Sequence, residues 1–174
     1  MRLRSARALL LLAAAGLPWT GLGADQVSEL QARFDRENNS VRKAKLLEKL
    51  GDAQFEAARQ ASKSTDFQAV DFILEKYRDN ARVAFEALKR EHPDAEKHTN
   101  GFKQVQMHVH RALREIDESL IVSPPEYKPP LELVRRDLLA MDEELLKLLF
   151  PPRSPKKKPA EKGSAEAKPP QKPQ

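Results

Sequence analysis

The stretch from Asp25 to Phe150 contains only two glycines, Gly51 and Gly101, and is rich in strong helix formers such as alanine, leucine, glutamate and lysine. Apolar residues recur there at alternating steps of three and four, the spacing that places them on one face of an α-helix. The longest stripes run through Phe67, Val70, Leu74, Tyr77, Ala81, Ala84 and Leu88; Phe102, Val105, Val109, Ala112 and Ile116; and Leu131, Val134, Leu138, Met141, Leu145 and Leu148. The narrow seams predict an all-α fold, an elongated antiparallel, coiled-coil-like bundle of four to five helices.

Capping residues and prolines predict major helices over residues 66–92, 94–122 and 130–149. Thr65-x-x-Gln68 matches a capping box for the first of them. His92-Pro93 ends that helix and Asp94 suits the start of the next, although Thr99-Asn100-Gly101 is an alternative start. The segment Ser123–Pro130 contains four prolines and is expected to be an extended connector rather than helix.

The first helical region, within residues 26–62, has apolar residues on two opposite faces. Ser28-x-x-Gln31 matches a capping box at its start. Val27, Leu30, Phe34 and Val41 share one side of a helical wheel, whereas the apolar residues from Leu46 onwards lie about half a turn away. Either one helix lies between two layers, or it breaks near Asn38-Asn39-Ser40 with Ser40 as a new cap. We favour the break.

The N-terminal 23 residues have the pattern of a secretory signal peptide. Arg2, Arg4 and Arg7 precede an apolar run from Ala8 to Trp19, and small residues follow it. Cleavage after Gly23 gives small residues at both recognition positions. The alternative, an uncleaved anchor helix, is disfavoured because a bilayer span needs about 20 apolar residues. We therefore expect an exported protein, periplasmic or secreted, without a transmembrane segment after cleavage.

Three segments follow from composition: the signal peptide (1–23), a helical domain (24–150) and a Pro/Lys-rich tail (151–174). The chain has no cysteine, so the domain depends on an ordinary packed core. The net charge of the whole chain is +5, with +3 in the signal peptide, −3 in the domain and +5 in the tail. The tail has no large apolar residue and is expected to be disordered. Because the mature domain is acidic and the protein exported, no nucleic-acid partner is expected.

Two histidine pairs are candidates for metal binding. His108 and His110 lie two residues apart and would point about 200° away from each other on a helix, so they are predicted to be ordinary surface side chains. His92 and His98 flank a turn that could bring them together, with Glu91, Asp94 and Glu96 nearby. Their spacing matches no zinc signature, so a helix-end histidine and a polar first-turn residue are favoured over a metal site.

The sequence contains no recognisable set of catalytic residues. There is no Gly-x-Ser-x-Gly elbow and no glycine-rich phosphate loop. A hydrolase built on paired carboxylates is conceivable, but acids such as Glu48, Asp52 and Glu115 have lysine or arginine within three or four residues and are expected to lie on solvated helix faces. We predict a protein that is not an enzyme, and assign no catalytic, cofactor-binding or metal-binding residue.

Two resemblances add to this interpretation. Leu50-Gly51-x-x-x-Phe55, followed by Phe67 and Val70, is similar to part of a tetratricopeptide repeat, over about one repeat. The run FDRENNSVRKAKLLEKLGDAQFEAARQ, together with LLKLLFPPR, resembles a group of exported bacterial helical proteins without assigned activity. Periplasmic helical-hairpin chaperones share the helical character, but their Leu-Thr-x-x-Gln repeats are absent from this chain.

The expected function is a non-enzymatic interaction or structural module of the cell envelope, with a protein partner on an exposed helix face. The alternative is a periplasmic envelope-stress protein that acts as a chaperone or buffers metal through His92 and His98. The tail carries Arg153 and six lysines against two acids. It is either a solubilising terminus or a weak, salt-sensitive contact to anionic lipid or cell-wall polymer.

Overall fold

Helices make up almost all of residues 22–151, the part of the chain that the computed structural model describes. The predicted disordered tail and nearly all of the predicted signal peptide lie outside these residues. The helices are α1 (Leu22–Arg36), α2 (Ser40–Lys63), α3 (Phe67–Glu91), α4 (Thr99–Val122) and α5 (Lys128–Leu149), with a 3-10 turn at Pro125–Tyr127. No strand occurs in the described range, so the all-α prediction is confirmed.

Two helical hairpins stack side by side to form the bundle. Helices α2 and α3 make the first antiparallel hairpin, and α4 and α5 make the second. Helix α2 lies beside α4 and runs parallel to it, because Asp52 and then Arg59 contact His108 (3.3 Å) and then Glu115 (2.6 Å). Helix α3 lies beside α5 in the same way, because Arg82 and then Lys89 pair with Asp137 (3.2 Å) and then Glu144 (2.8 Å). Helix α1 packs on α2, so α2 contacts three other helices.

The apolar stripes meet in one contiguous core. The largest fully buried side chains include Tyr77, Phe34, Phe55, Phe102 and Leu138. Helices α2 to α5 contain 22 to 25 residues, which corresponds to lengths of about 33 to 38 Å and makes the bundle elongated. The periodicity of the sequence therefore predicts correctly which faces turn inward.

The break in the first helical region is confirmed, with a different cap. Helix α1 ends at Arg36 and α2 begins at Ser40. Asn39, rather than Ser40, is the N-cap residue, and its side chain accepts a hydrogen bond of 2.9 Å from the backbone amide of Arg42. Ser28 does not cap α1, because that helix already begins at Leu22. The break lets the two ends of this region present apolar faces to different neighbours.

Thr65 also does not act as the predicted cap. It adopts a left-handed conformation with φ of 59°, and the next residue, Asp66, accepts a hydrogen bond of 3.1 Å from the amide of Ala69. Helix α4 begins at the alternative start, Thr99, and not at Asp94. At both helices a neighbouring residue replaces the predicted hydroxyl cap: Asn39 precedes Ser40 at α2, and Asp66 follows Thr65 at α3.

The proline-rich connector is more helical than predicted. Pro125–Tyr127 forms a 3-10 turn and α5 begins at Lys128, so Pro129 and Pro130 lie in its first turn. Proline is compatible with this position because the first amides of a helix have no intrahelical acceptor. The prediction of an extended segment was wrong for this reason.

Candidate functional site

A buried histidine connects the two hairpins. His108 on α4 is only 5% exposed, which contradicts the prediction of a surface side chain, whereas His110 is exposed as predicted. The Nδ1 atom of His108 lies 2.8 Å from the hydroxyl of Tyr77 on α3. Its Nε2 atom lies 3.3 Å from Oδ1 of Asp52 on α2. Because partners are available on both sides, the ring can be buried without losing its hydrogen bonds.

The partners of His108 define the tautomer of its neutral ring. An ionised carboxylate can only accept, so Nε2 carries the proton and donates to Asp52. Nδ1 is then an acceptor, and the Tyr77 hydroxyl donates to it. Asp52 also forms an ion pair with Arg111, whose Nη1 atom lies 2.7 Å from Oδ1. Together Tyr77, His108, Asp52 and Arg111 form one chain of polar contacts across three helices, which we call the buried relay.

Gly51 makes the room for this arrangement. A Cβ atom on Gly51 would overlap the His108 ring and would lie 2.8 Å from Cε2 of Tyr77. Phe55, one turn further along α2, stacks on His108 with ring centroids 5.4 Å apart and an interplanar angle of 13°. It also packs against Tyr77 with centroids 4.7 Å apart. The missing side chain at Gly51 therefore allows two rings to pack against the backbone of α2.

Burial keeps both titratable rings of the relay neutral. Desolvation lowers the pKa of His108, and the charge of Asp52 offsets this only in part. Desolvation also raises the pKa of Tyr77, far above its ordinary value. The sequence Asp–His–hydroxyl is the order found in nucleophilic relays, but Tyr77 is fully buried and no substrate can reach its oxygen. The relay therefore links α2, α3 and α4 through side-chain contacts.

The second histidine pair is brought together by the turn between α3 and α4. The rings of His92 and His98 have centroids 4.6 Å apart. Two nearby acids already have partners, because Glu91 accepts from the amide of Ser40 at 3.1 Å and Asp94 pairs with Lys97 at 2.7 Å. Within residues 22–151 no group of three or more histidine, aspartate, glutamate or cysteine side chains could hold a metal ion.

Glu48 is exposed, as predicted, but the other two acids expected on solvated faces make contacts between helices. Asp52 belongs to the relay, and Glu115 pairs with Arg59 across the gap between α2 and α4. Asp71 differs from both, because its Oδ1 atom is buried without a hydrogen-bond partner. Burial, with a smaller contribution from nearby Glu75, raises the pKa of Asp71 to about 6.

A shallow pocket of about 260 Å³ lies between the α1–α2 loop and the last turns of α3. Its lining mixes opposite charges, with Glu37 and Glu86 beside Lys43 and Arg90. Glu37 is already paired with Arg42 at 3.3 Å. The lining thus has no excess of one charge that would select a charged ligand.

Large apolar side chains remain exposed on the outer surface of the bundle. The most exposed are Ile121 (80%), Met107 (70%), Phe72 (68%) and Phe150 (67%). Exposed apolar residues in groups mark interaction sites more often than single ones do. None of the helices in residues 22–151 is long and apolar enough to span a membrane.

Comparisons with protein families, with curated proteins and with solved structures give no match to this chain. The function is therefore argued from the geometry of the chain itself.

The contact at Gly51 can be tested by adding one methyl group. We expect Gly51→Ala to lower the free energy of unfolding by about 1–3 kcal/mol, because the new Cβ overlaps a buried ring, despite the better helix propensity of alanine. Gly101→Ala is the comparison, since its Cβ would meet only the end of the Leu88 side chain, 2.6 Å away. Urea denaturation measures both. An equal or smaller loss for Gly51→Ala would contradict the close packing.

The relay also predicts how stability depends on pH. His108 has a lowered pKa in the folded state, so below the ordinary histidine pKa of about 6.5 the unfolded chain binds more protons. The stability that neutral His108 provides is complete above that pH and is lost as the pH falls, by at most about 1.4 kcal/mol per pH unit. Urea denaturation between pH 8 and 5 should show a shallower pH dependence for His108→Gln than for the wild type. His110→Gln should retain the wild-type dependence; identical profiles for all three proteins would refute the assignment.

Proposed function

We propose that the protein is an exported, non-enzymatic interaction or structural module of the cell envelope that binds a protein partner through an exposed helix face. The N-terminal sequence pattern supports export. The buried relay supports the absence of catalysis at its histidine, because each polar group there is already bonded to another side chain of the bundle.

The observation that carries the proposal is the exposure of apolar side chains on helices that are otherwise charged. Met107 and Ile121 project from α4, and Leu139 and Leu146 project from α5 at 38% and 40% exposure. Exposing these side chains to water is unfavourable, by about 25 cal/mol for each Å² of apolar surface. A partner that covers them would gain this free energy on binding.

A photo-crosslinking scan tests this function in cells that produce the protein. Single photoreactive residues are placed at exposed positions around the bundle, for example at Lys45 on α2, Lys76 on α3, Met107 on α4 and Leu146 on α5. We expect one face to give a crosslink to a defined protein of the envelope, in a mature chain that begins at Ala24. Uniform, weak crosslinking from every position, or a chain that keeps residues 1–23, would contradict the proposal.

A second candidate function is metal buffering, favoured by the approach of the His92 and His98 rings to 4.6 Å. Two imidazoles with open positions for water suit Cu²⁺ or Zn²⁺, with Cu²⁺ expected to bind more tightly. Calorimetry with each metal should show one site in the wild type that disappears in His92→Ala/His98→Ala. His110→Ala is the control, since that histidine is exposed on α4. Equal heats for all three proteins would rule out this function.

The remaining proposals concern chaperone activity and the tail. A chaperone-like function would use the same exposed apolar residues, and protection of a denaturing client from aggregation would favour it over a single defined partner.

The lysines of residues 151–174 would add a weak contact to anionic lipid or cell-wall polymer. Such a contact would weaken as rising salt screens the charges.

A further inference from the structure

Helix α1 covers only part of the outer side of α2 and α3. Near the start of α2, Nζ of Lys43 lies over the ring of Phe34, 4.9 Å from its centroid. About one turn earlier on α1, Gln31 exchanges two hydrogen bonds of 2.8 and 3.1 Å with Asn80, in the middle of α3. Helix α1 therefore runs antiparallel to α2 and parallel to α3, and its first residue, Leu22, lies towards the α2–α3 turn.

The level at which α1 begins follows from these two contacts. Each residue adds the same rise to any α-helix, so equal counts along two aligned helices reach the same level. The contact with α3 lies nine residues after Leu22, and nine residues before its α3 partner is Asp71. The contact with Lys43 lies twelve residues after Leu22, so Phe55 is the matching residue of α2. The last two turns of α2 and the first turn of α3 therefore extend beyond α1.

The surface in this region is apolar on the side that α1 would cover if it were longer. Ala61 is eighteen residues after Lys43, which is five complete turns, so it lies on the α1 side of α2. Ile73 is seven residues before Asn80, about two turns, and lies on the α1 side of α3. Both are partly buried and pack against the core, whereas Phe72 on the outer flank is 68% exposed. We call this surface the apolar strip, which consists of Ala57, Ala61, Ala69, Phe72 and Ile73.

The chain that precedes α1 is tethered at the apolar strip. Residues 1–21 lie outside the described part of the chain and contain two bulky apolar residues close to Leu22, which are Leu17 and Trp19. Trp19 is three residues before Leu22, so even a fully extended chain keeps it within about 11 Å. A short tether of this kind gives an effective concentration on the order of millimolar. A contact that is weak between separate molecules is therefore favoured here.

We infer that, in the uncleaved chain, the side chains of Leu17 and Trp19 dock on the apolar strip. Packing the indole ring against Phe72 removes apolar surface of both residues from water, which is favourable. The predicted cleavage after Gly23 removes Leu17 and Trp19 from the protein and uncovers the strip. This inference rests on the proposed function and names the event that makes one apolar surface of α2 and α3 accessible to a partner.

Composition and position distinguish this occupant from the other end of the chain. Residues 151–174 contain no large apolar side chain, so they gain little by covering Phe72 or Ile73. They also follow the last turn of α5, which runs parallel to α3. The tail therefore leaves the bundle beside the end of α3, whereas the apolar strip lies beside its beginning.

Tryptophan fluorescence tests the docking directly, because Trp19 is the only tryptophan of the chain. The protein measured is the full-length chain 1–174, and a synthetic peptide of residues 13–36 is the reference. We expect Trp19 in the folded chain to emit at a shorter wavelength, and to be quenched less by acrylamide, than in the peptide. Phe72→Glu should move both values towards those of the peptide, because a carboxylate in the strip opposes burial of the indole ring.

Two further variants make the test specific for the apolar strip. Met107→Glu is the matched control, since Met107 on α4 is 70% exposed and the change in charge is the same. We expect it to leave the emission and quenching of Trp19 unchanged. Ala69→Glu is a second strip variant that should act like Phe72→Glu. An acid is favourable in the first turn of a helix, so this variant keeps α3 stable, and circular dichroism confirms that each protein is folded.

Three results would overturn the inference: peptide-like emission in the folded wild type, no response to either strip variant, or an equal response to Met107→Glu. An emission shift that disappears on dilution would place Trp19 on a second copy of the chain and would also overturn it. Failure of Trp19 to dock leaves the proposed function intact, since a partner can still bind at Met107 or Leu146. Uniform crosslinking in cells would contradict the proposed function and leave the docking of Trp19 intact.

Discussion

The packing of the two hairpins depends on the close approach of α2 and α4 at Gly51. Because Gly51 has no Cβ, the rings of His108 and Tyr77 lie against the backbone of α2, and Phe55 stacks on the imidazole. This cluster brings residues of three helices together near the middle of the bundle. Its polar atoms are bonded to one another, so the protein can bury a histidine and a tyrosine hydroxyl without large desolvation losses.

The polar groups of this cluster contact one another. The hydroxyl of Tyr77 contacts the imidazole of His108, and that imidazole contacts the carboxylate of Asp52. Arg111 pairs with the same carboxylate and is the last residue in this chain of contacts. Other charged side chains, such as Arg59 with Glu115 and Lys89 with Glu144, link parallel helices at the surface. Exposed apolar side chains on α4 and α5 include Met107, Ile121, Leu139 and Leu146, and the exposed cations Lys103 and Arg114 also lie on α4.

Local sequence signals identified the helices more reliably than their ends. Most of the buried residues of α3, α4 and α5 were predicted because helical periodicity is a property of the chain alone, although Phe67 and Leu148 of the predicted stripes are only partly buried. Caps were less predictable, since Asn39 and Asp66 compete with the neighbouring Ser40 and Thr65 for the same backbone amides. The helical start at Lys128 was missed because prolines, which break helices in their interior, are compatible with a first turn.

The sequence by itself determined an all-α chain and the faces that form its core, and it favoured a break between α1 and α2 over a continuous helix, because each of these depends on spacing within one segment. The tertiary structure decided that His108 is buried, that His92 approaches His98, and that Asp52 and Glu115 bond across helices. These contacts join residues six to 56 positions apart. Pairings of this kind depend on how helices stack, and a helical wheel carries no information about which neighbour a face will meet. The sequence contains one indication of the buried relay, which is a glycine on α2 that lies opposite a histidine on α4. This indication can be recognised only once the register of α2 against α4 is known.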